Sequence, residues 1–380
     1  MKKKLSIVIA SDSFKGSAST FEVNDWIAEG ILRFLPSVVI KKVPVADGGE
    51  GTVSAITKER KGRLKEVMVT GPLGEPVKAH YGLIEENVAI LEMAEASGIM
   101  LVNENDLDPY KATTYGTGEL ILAALNEGVK EIYIGIGGSA TNDGGLGMAQ
   151  ALGYEFKDSK GNQVGFGAQE IDKIQSISSE NVDSRLKDTT IKILSDVTNP
   201  LLGENGASFV YGKQKGAQEK DFQILDRLLL KFADLIEETF KKDIRNEEGS
   251  GAAGGLGAGL LAFCSAKMTN GVEQILDLLN IDDVLSQADL VITGEGRIDA
   301  QSFYGKAPIG IASRSKRYDL PVIAIVGSVS GNIEAVYDHG IDLVLDTIDR
   351  PMSLQEAIDS VEESLKRTGE IAVRSFLLNN

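Results

Sequence analysis

The stretch LSIVIASDSFKGSASTFEVNDWIAEGILRF, residues 5–34, decides the fold. It opens on a short apolar run with β-branched residues and breaks at a loop of small hydroxyl residues around Asp12 and Lys15. It then continues into a segment where Trp26, Ile27, Ile31 and Phe34 recur at helical spacing. A strand, a loop and a helix follow one another, and VVIKKVPVA (38–46) reads as the next strand. Strands and helices alternating at this length indicate βαβ units and a mostly parallel sheet. The grammar returns in the last quarter of the chain, where ADLVITGEG (288–296), PVIAIVGSVSG (321–331) and IDLVLDT (341–347) are strand-like and interleaved with helical patterns. Five such strands predict a Rossmann/flavodoxin-like doubly wound parallel sheet, built from both parts of the chain. The middle differs. From Arg63 to Ala89 the pattern alternates and is rich in turns, with VTGPLGEPV (69–77) broken by Gly and Pro as in antiparallel hairpins. A further α/β region starts at TGELILAALNEG (117–128) and EIYIGIG (131–137). The expectation is a discontinuous Rossmann-like domain, 1–62 with 283–380, and a second α/β domain, 63–282, inserted into it.

The chain has 380 residues, which at about 150 per domain also suggests two domains. Hydrophobic residues make up 42% and charged residues 25%, a globular balance that gives no sign of disorder. Glycine is abundant at 42 residues, and since it costs backbone entropy inside helices and strands, a surplus points to loops where backbone approaches something closely. The formal charge of −17 repels phosphate backbones and acidic lipids, so neither nucleic acid nor a membrane is an expected partner. A small anion remains admissible where Lys and Arg are gathered locally, and a homodimer is left open. The basic start MKKK precedes an apolar run that stops at Ala10, too short for an export segment and better read as the first strand. No apolar run approaches the ~18 residues that cross a bilayer. Cys264 is the single cysteine, which excludes an internal disulfide and fits a reducing, cytoplasmic compartment.

Six loops carry the chemistry. SDSFKGSAS (11–19) sets Ser11, Asp12, Ser13 and Lys15 at a strand end, where ligands bind in open parallel sheets; its bland alternative is a helix cap. ADGGEGT (46–52) brackets two glycines with Asp47 and Glu50, a pattern suited to Mg²⁺ or to proton transfer. IGIGGSATNDGGLGMAQALG (134–153) runs from a strand through Gly137 and Gly138 into a helix expected near Asn142. There, backbone N–H groups with Ser139, Thr141 and Asn142 would make an anion site, and Asp143 would cap the helix or face a metal. LSDVTNPLLG (194–203) ends a strand at Asp196 and Asn199. GSGAAGGLGAGL (249–260), with Gly254 and Gly255, would wrap a phosphate or simply permit close packing. TGEGRIDAQSFYGKAP (293–308) gathers Glu295, Arg297, Asp299 and Lys306 at another strand end.

What is missing narrows the reaction. The sequence contains no P-loop pattern, no G-x-G-x-x-G following a strand as the dinucleotide fingerprint requires, and no nucleophile-elbow motif. His80 and His339 fall outside the six loops, which disfavours a histidine base, a zinc site or a Ser-His-Asp hydrolase. Cys264 sits in an apolar run and reads as packing. Carboxylates, Lys, Arg and backbone donors remain, and phosphoryl transfer with Mg²⁺ is the chemistry that needs that set.

Taken together and in this order, SDSFKGS, PVADGGEGT, GIGGSATNDGG, SDVTNPLLG, GAAGGLGAG and TGEGRIDAQSFYGKAP resemble the motifs of the bacterial glycerate kinase family, from residue 11 to residue 308. The resemblance implies ATP-dependent phosphorylation of D-glycerate, with 2-phosphoglycerate as product and 3-phosphoglycerate as the older assignment. It also implies two α/β domains with the active site in the cleft between them. Residue chemistry then suggests roles. Lys15 and the Gly137-Gly138-Ser139 backbone, with Thr141, Asn142, Gly254 and Gly255, would hold the ATP phosphates. Asp47 or Asp196 would orient and deprotonate the acceptor hydroxyl while the other helps hold Mg²⁺. Arg297 would bind the glycerate carboxylate and Lys306 would lie near the transferred group. Ser11, Asp12, Ser13, Glu295 and Asp299 complete the expected substrate site. The rival readings are a kinase of another small hydroxy acid and a non-enzymatic sugar-phosphate or nucleotide sensor.

Overall fold

The computed structural model describes residues 4–46, 48–49, 51–298 and 306–378. Asp47, Glu50 and Asp299 lie outside the described residues. The described chain divides into two compact units, one within 1–47, 58–60 and 272–380, the other within 48–57 and 61–271.

The first unit is a five-stranded sheet of Ser6–Ser11, Val39–Lys42, Leu290–Glu295, Val322–Val326 and Leu343–Asp346. All four pairings are parallel. Numbered one to five along the chain, the strands stand in the order 2-1-3-4-5. This is the flavodoxin-like order of a doubly wound sheet, whose strand order reverses between strands one and three. Central strands covered on both faces need apolar side chains in both directions, which is why LVITGE is buried along its whole length. On one face Ile7, Ile9, Leu290, Ile292, Ile323 and Ile325 pack with Val23, Ile27 and Ile31 of the helix Thr20–Phe34 and with Leu365 and Val373 of the helix Val361–Leu377. Those two helices touch backbone to backbone. A Cβ on Gly30 would come within 1.8 Å of the Lys366 carbonyl, and one on Gly369 within 2.5 Å of the Ile27 carbonyl, so neither position admits a side chain. The first helix starts where a reciprocal capping box forms between Ser19 and Glu22. The second strand is shorter than expected from its apolar pattern. Val43, Val45 and Ala46 are buried but only Val39–Lys42 keep ladder pairing, and the Val43 amide still reaches the Ile9 carbonyl at 2.8 Å.

The second unit holds a six-stranded mixed sheet. Lys267–Thr269, Thr190–Leu194, Glu131–Gly135 and Val88–Glu92 are parallel, while Pro76–Glu85 and Arg63–Thr70 complete it as an antiparallel hairpin. Its core joins Ile132, Ile134, Ile191 and Ile193 to Leu120, Phe156, Phe232 and Phe263. Cys264 belongs to that core, its thiol pushed up to about 12 by burial. Among the described residues, no helix is long and apolar enough to cross a membrane.

Candidate functional site

At the carboxyl ends of strands one, three, four and five of the first unit lies a cavity of about 540 Å³. Asp12, Ser13 and Lys15 follow strand one, Glu295 and Arg297 follow strand three, Ser328 follows strand four, and Thr347 and Ile348 follow strand five. The cavity therefore stands at the reversal point of the strand order, where open parallel sheets bind their ligands. Two carboxylates and three cations gather here in a chain that is strongly acidic overall.

The backbone builds this corner. The Asp12 amide bonds the Gly294 carbonyl at 2.9 Å, extending the pairing of strands one and three to the point where they diverge. The Asp12 carboxylate receives the Ser13 amide at 2.6 Å, which pins the loop to the start of the turn. Phe14 and Ala18 close the loop as a small bridge around Gly16, whose φ of +81° is a left-handed conformation that glycine adopts without strain. Lys15 is left exposed at its tip. Glu295 is only 8% exposed, and its Oε2 receives the Lys306 ammonium at 2.9 Å, so burial of the carboxylate is matched by a nearby cation. Arg297 is exposed, with one guanidinium nitrogen donating to the Ser330 hydroxyl at 2.8 Å.

Of the residues expected here, Asp12, Ser13, Lys15, Glu295, Arg297 and Lys306 line the cavity. Ser11 is fully buried behind it; its amide donates to the Asn24 side chain and its carbonyl accepts from Thr20. Ser11 thus ties the strand to the first helix. Asp47 and Asp299 lie outside the described residues. Sequence reasoning missed the wall formed by Thr347, Ile348, Met352, Leu354, Ala357 and Ile358. Its one readable signal was position, directly after the last strand.

A second cluster of loops forms at the carboxyl ends of the parallel strands of the other unit. The turn at Gly48 and Gly49 rests against Gly135, Gly137 and Leu194: a Cβ on Gly135 would lie 2.4 Å from the Gly48 carbonyl, and one on Gly48 3.2 Å from the Leu194 carbonyl. Glu92, 2% exposed at the end of its strand, accepts the amides of Gly51 and Val53 and so fixes the start of the helix Thr52–Glu59. Asp196 is half-buried, and its Oδ1 accepts the Gly271 amide at 2.9 Å. Gly137 and Gly138 are exposed and Ser139 is buried. Four of the six motifs therefore meet in this unit, since Gly251 of the fourth lies against the Pro200 carbonyl.

The glycine-rich turn itself differs from the expectation of an open anion site near Asn142. The helix starts only at Leu146 and has six residues. Its leading amides are already taken by the chain's own carboxylate. Asp143, fully buried, accepts the amides of Gly145 at 3.0 Å and Gly147 at 3.2 Å, and both the amide and the hydroxyl of Thr114 at 2.9 Å. Burial raises the Asp143 pKa and these bonds oppose the rise. Thr141 and Asn142 are likewise inside, and the Asn142 amide donates to the Ser208 hydroxyl at 3.1 Å. Lys215, invisible as a candidate in the sequence, is 1% exposed and donates to the Thr141 carbonyl at 2.7 Å. Desolvation brings its amine down to about 7, partly offset by the Asp143 charge. Gly254 and Gly255 pack on the same turn: their φ values are +66° and +87°, and a Cβ on Gly254 would fall 1.9 Å from the Thr141 carbonyl. Close packing accounts for these two glycines.

The fold and the cavity define an α/β ligand-binding protein of the doubly wound class, with cations and carboxylates collected at strand ends. The sequence model of the Glycerate kinase family matches residues 7–377. A "Glycerate 2-kinase" of Escherichia coli (strain K12) is 46% identical over 96% of this chain and 96% of its own length. A "Glycerate kinase" of Halalkalibacterium halodurans is 47% identical over 97% of this chain and 98% of its own. The crystal structure of a provisionally assigned glycerate kinase 2 from Salmonella typhimurium LT2 superposes with a TM-score of 0.87 at 44% identity, covering 99% of both chains. The chain belongs to the glycerate kinase family.

Proposed function

We propose that this protein phosphorylates D-glycerate from ATP on the C2 hydroxyl, giving 2-phosphoglycerate and ADP. The observation that carries the reading is the set Asp12, Lys15, Glu295, Arg297 and Lys306 on a single cavity at strand ends. It has charge for holding and neutralising anions but neither a histidine nor a thiol among its lining residues. Phosphoryl transfer asks for little else, because its loose transition state is stabilised by positioning and charge. The similarity to a glycerate 2-kinase along nearly all of both chains supports the acceptor and the hydroxyl.

Arg297, exposed on a strand-end loop, holds the glycerate carboxylate through two parallel N–H bonds. Lys15 and Lys306 lower the charge around the transferring group. The acceptor hydroxyl oxygen bonds to the γ-phosphorus as the bond to the β,γ-bridging oxygen breaks; the bond's electrons leave with ADP and the hydroxyl proton passes to a carboxylate. Asp196 is proposed as that carboxylate or as a holder of Mg²⁺, and Asp47 shares the proposal. Among the described residues, no group of three or more His, Cys, Asp or Glu side chains is arranged to hold a metal alone. Mg²⁺ keeps its waters and takes one or two carboxylates together with substrate phosphates. Asp12 and Glu295, which line the cavity, are the carboxylates there suited to it. When bound, the ion neutralises charge on the phosphates.

Release of ADP from MgATP by the purified protein, dependent on D-glycerate, tests the reading, and phosphorus–proton couplings in the product identify the hydroxyl. No ADP above the glycerate-free background overturns it. Arg297→Ala should lower kcat/KM for glycerate about a hundred-fold. An unchanged value would remove Arg297 from the substrate site.

A further inference from the structure

The cavity is far larger than a three-carbon acid, and its two halves differ in chemistry. At about 540 Å³ it falls in the range of pockets that enclose cofactor-sized ligands. The charged residues come from the loops after strands one and three, whereas Ile348, Met352, Leu354, Ala357 and Ile358 come from the segment after strand five. Strand five stands three places from strand one in the sheet. At ~4.8 Å per place, strand five lies about 14 Å from strand one and about 10 Å from strand three. Leu354 is 78% exposed although it lines the cavity, a large apolar side chain held in water beside other apolar groups. It begins the helix Leu354–Asp359, which a Ser353–Glu356 capping box fixes in place, so the exposure is built into a capped element.

A ligand that covers an apolar wall at one end and brings anionic groups to Lys15 and Lys306 at the other has the chemistry of a purine nucleoside polyphosphate. We propose that this cavity is the nucleotide site, with the base against Leu354, Met352 and Ile358 and the phosphates at the loops after strands one and three. The inference rests on the kinase reading and moves the phosphates away from the Gly137–Asn142 turn. There, the short helix that would have received them is capped by Asp143. A glycerate molecule gains nothing from the apolar half, since it has no surface to bury there.

The test uses ADP with Mg²⁺ as the probe, titrated calorimetrically into the full-length protein without glycerate, alongside separate KM values for ATP and D-glycerate. Leu354→Ser changes an exposed side chain, and Ala357→Trp fills the wall; thermal melts check that both variants fold. Each should weaken ADP binding and raise KM for ATP about ten-fold or more, with KM for glycerate within about two-fold. Unchanged ADP affinity in both folded variants, with ATP-dependent turnover intact, overturns the site and leaves the kinase reading standing. ADP binding weakened by the variants in a protein that does not turn over D-glycerate supports the site and overturns the acceptor. A protein that neither binds ADP nor turns over overturns both.

Discussion

Thr141 and Lys215 show how far residue type can mislead about exposure. Thr141 sits among glycines and polar side chains, the company of a phosphate loop, yet its hydroxyl is buried with no hydrogen-bond partner. Removing a buried hydroxyl without a partner removes only its desolvation cost. Thr141→Val should therefore leave stability unchanged or raise it by about 1 kcal/mol in urea unfolding, with KM for ATP unchanged. A rise in that KM would return Thr141 to the nucleotide. Lys215 carries a pH signature. Its amine is lowered to about 7 in the folded protein by burial and recovers its ordinary value when unfolded, so above about 7 the unfolded chain binds more protons. Stability must then rise with pH across that window. Between pH 7 and 9 the wild type should gain about 2 kcal/mol that Lys215→Met does not, read as the difference between their urea midpoints at each pH. Asp12, Lys15, Glu295 and Arg297 were legible because strand ends in a parallel sheet are predictable places for ligands. Lys215 was not, because nothing in YGKQKG distinguishes a lysine that turns inward from its two solvated neighbours in the turn.

At the scale of elements, runs of buried residues were readable and their exact edges were not. The strands at 290–295 and 322–326 followed from apolar runs between breakers, because burial on both faces writes itself into composition. The helix after the glycine-rich turn was placed too early, since Asp143 looks like the start of a helix and instead reaches forward to cap one that begins three residues later. No local pattern reports that the turn is also held from outside by Thr114 and by Gly254. Gly254→Ala should destabilise the protein by about 3 kcal/mol or more, through positive φ and collision with the Thr141 carbonyl together. Denaturant unfolding measures it. A cost below about 1 kcal/mol would mean the turn yields easily.

For the whole molecule, the sheet of the first unit draws its five strands from two distant parts of the chain. The last helix closes it, lying against the first through Gly30 and Gly369. Deleting residues 361–380 should expose Ile27 and Ile31 and loosen this unit while the other, fed by its own core, persists. Limited proteolysis with mass spectrometry should then recover a resistant fragment near residues 61–271, which also tests the proposed insertion of 63–282. Loss of both units at the same protease dose would show that they stand or fall together. That the first strand pairs with one 283 positions later also sets an order of events on the ribosome. The opening β-segment leaves the ribosome long before its partner at Leu290–Glu295 has been translated, so neither the full sheet nor the cavity, whose lining runs to Val361, can be completed until nearly the whole polypeptide has been made.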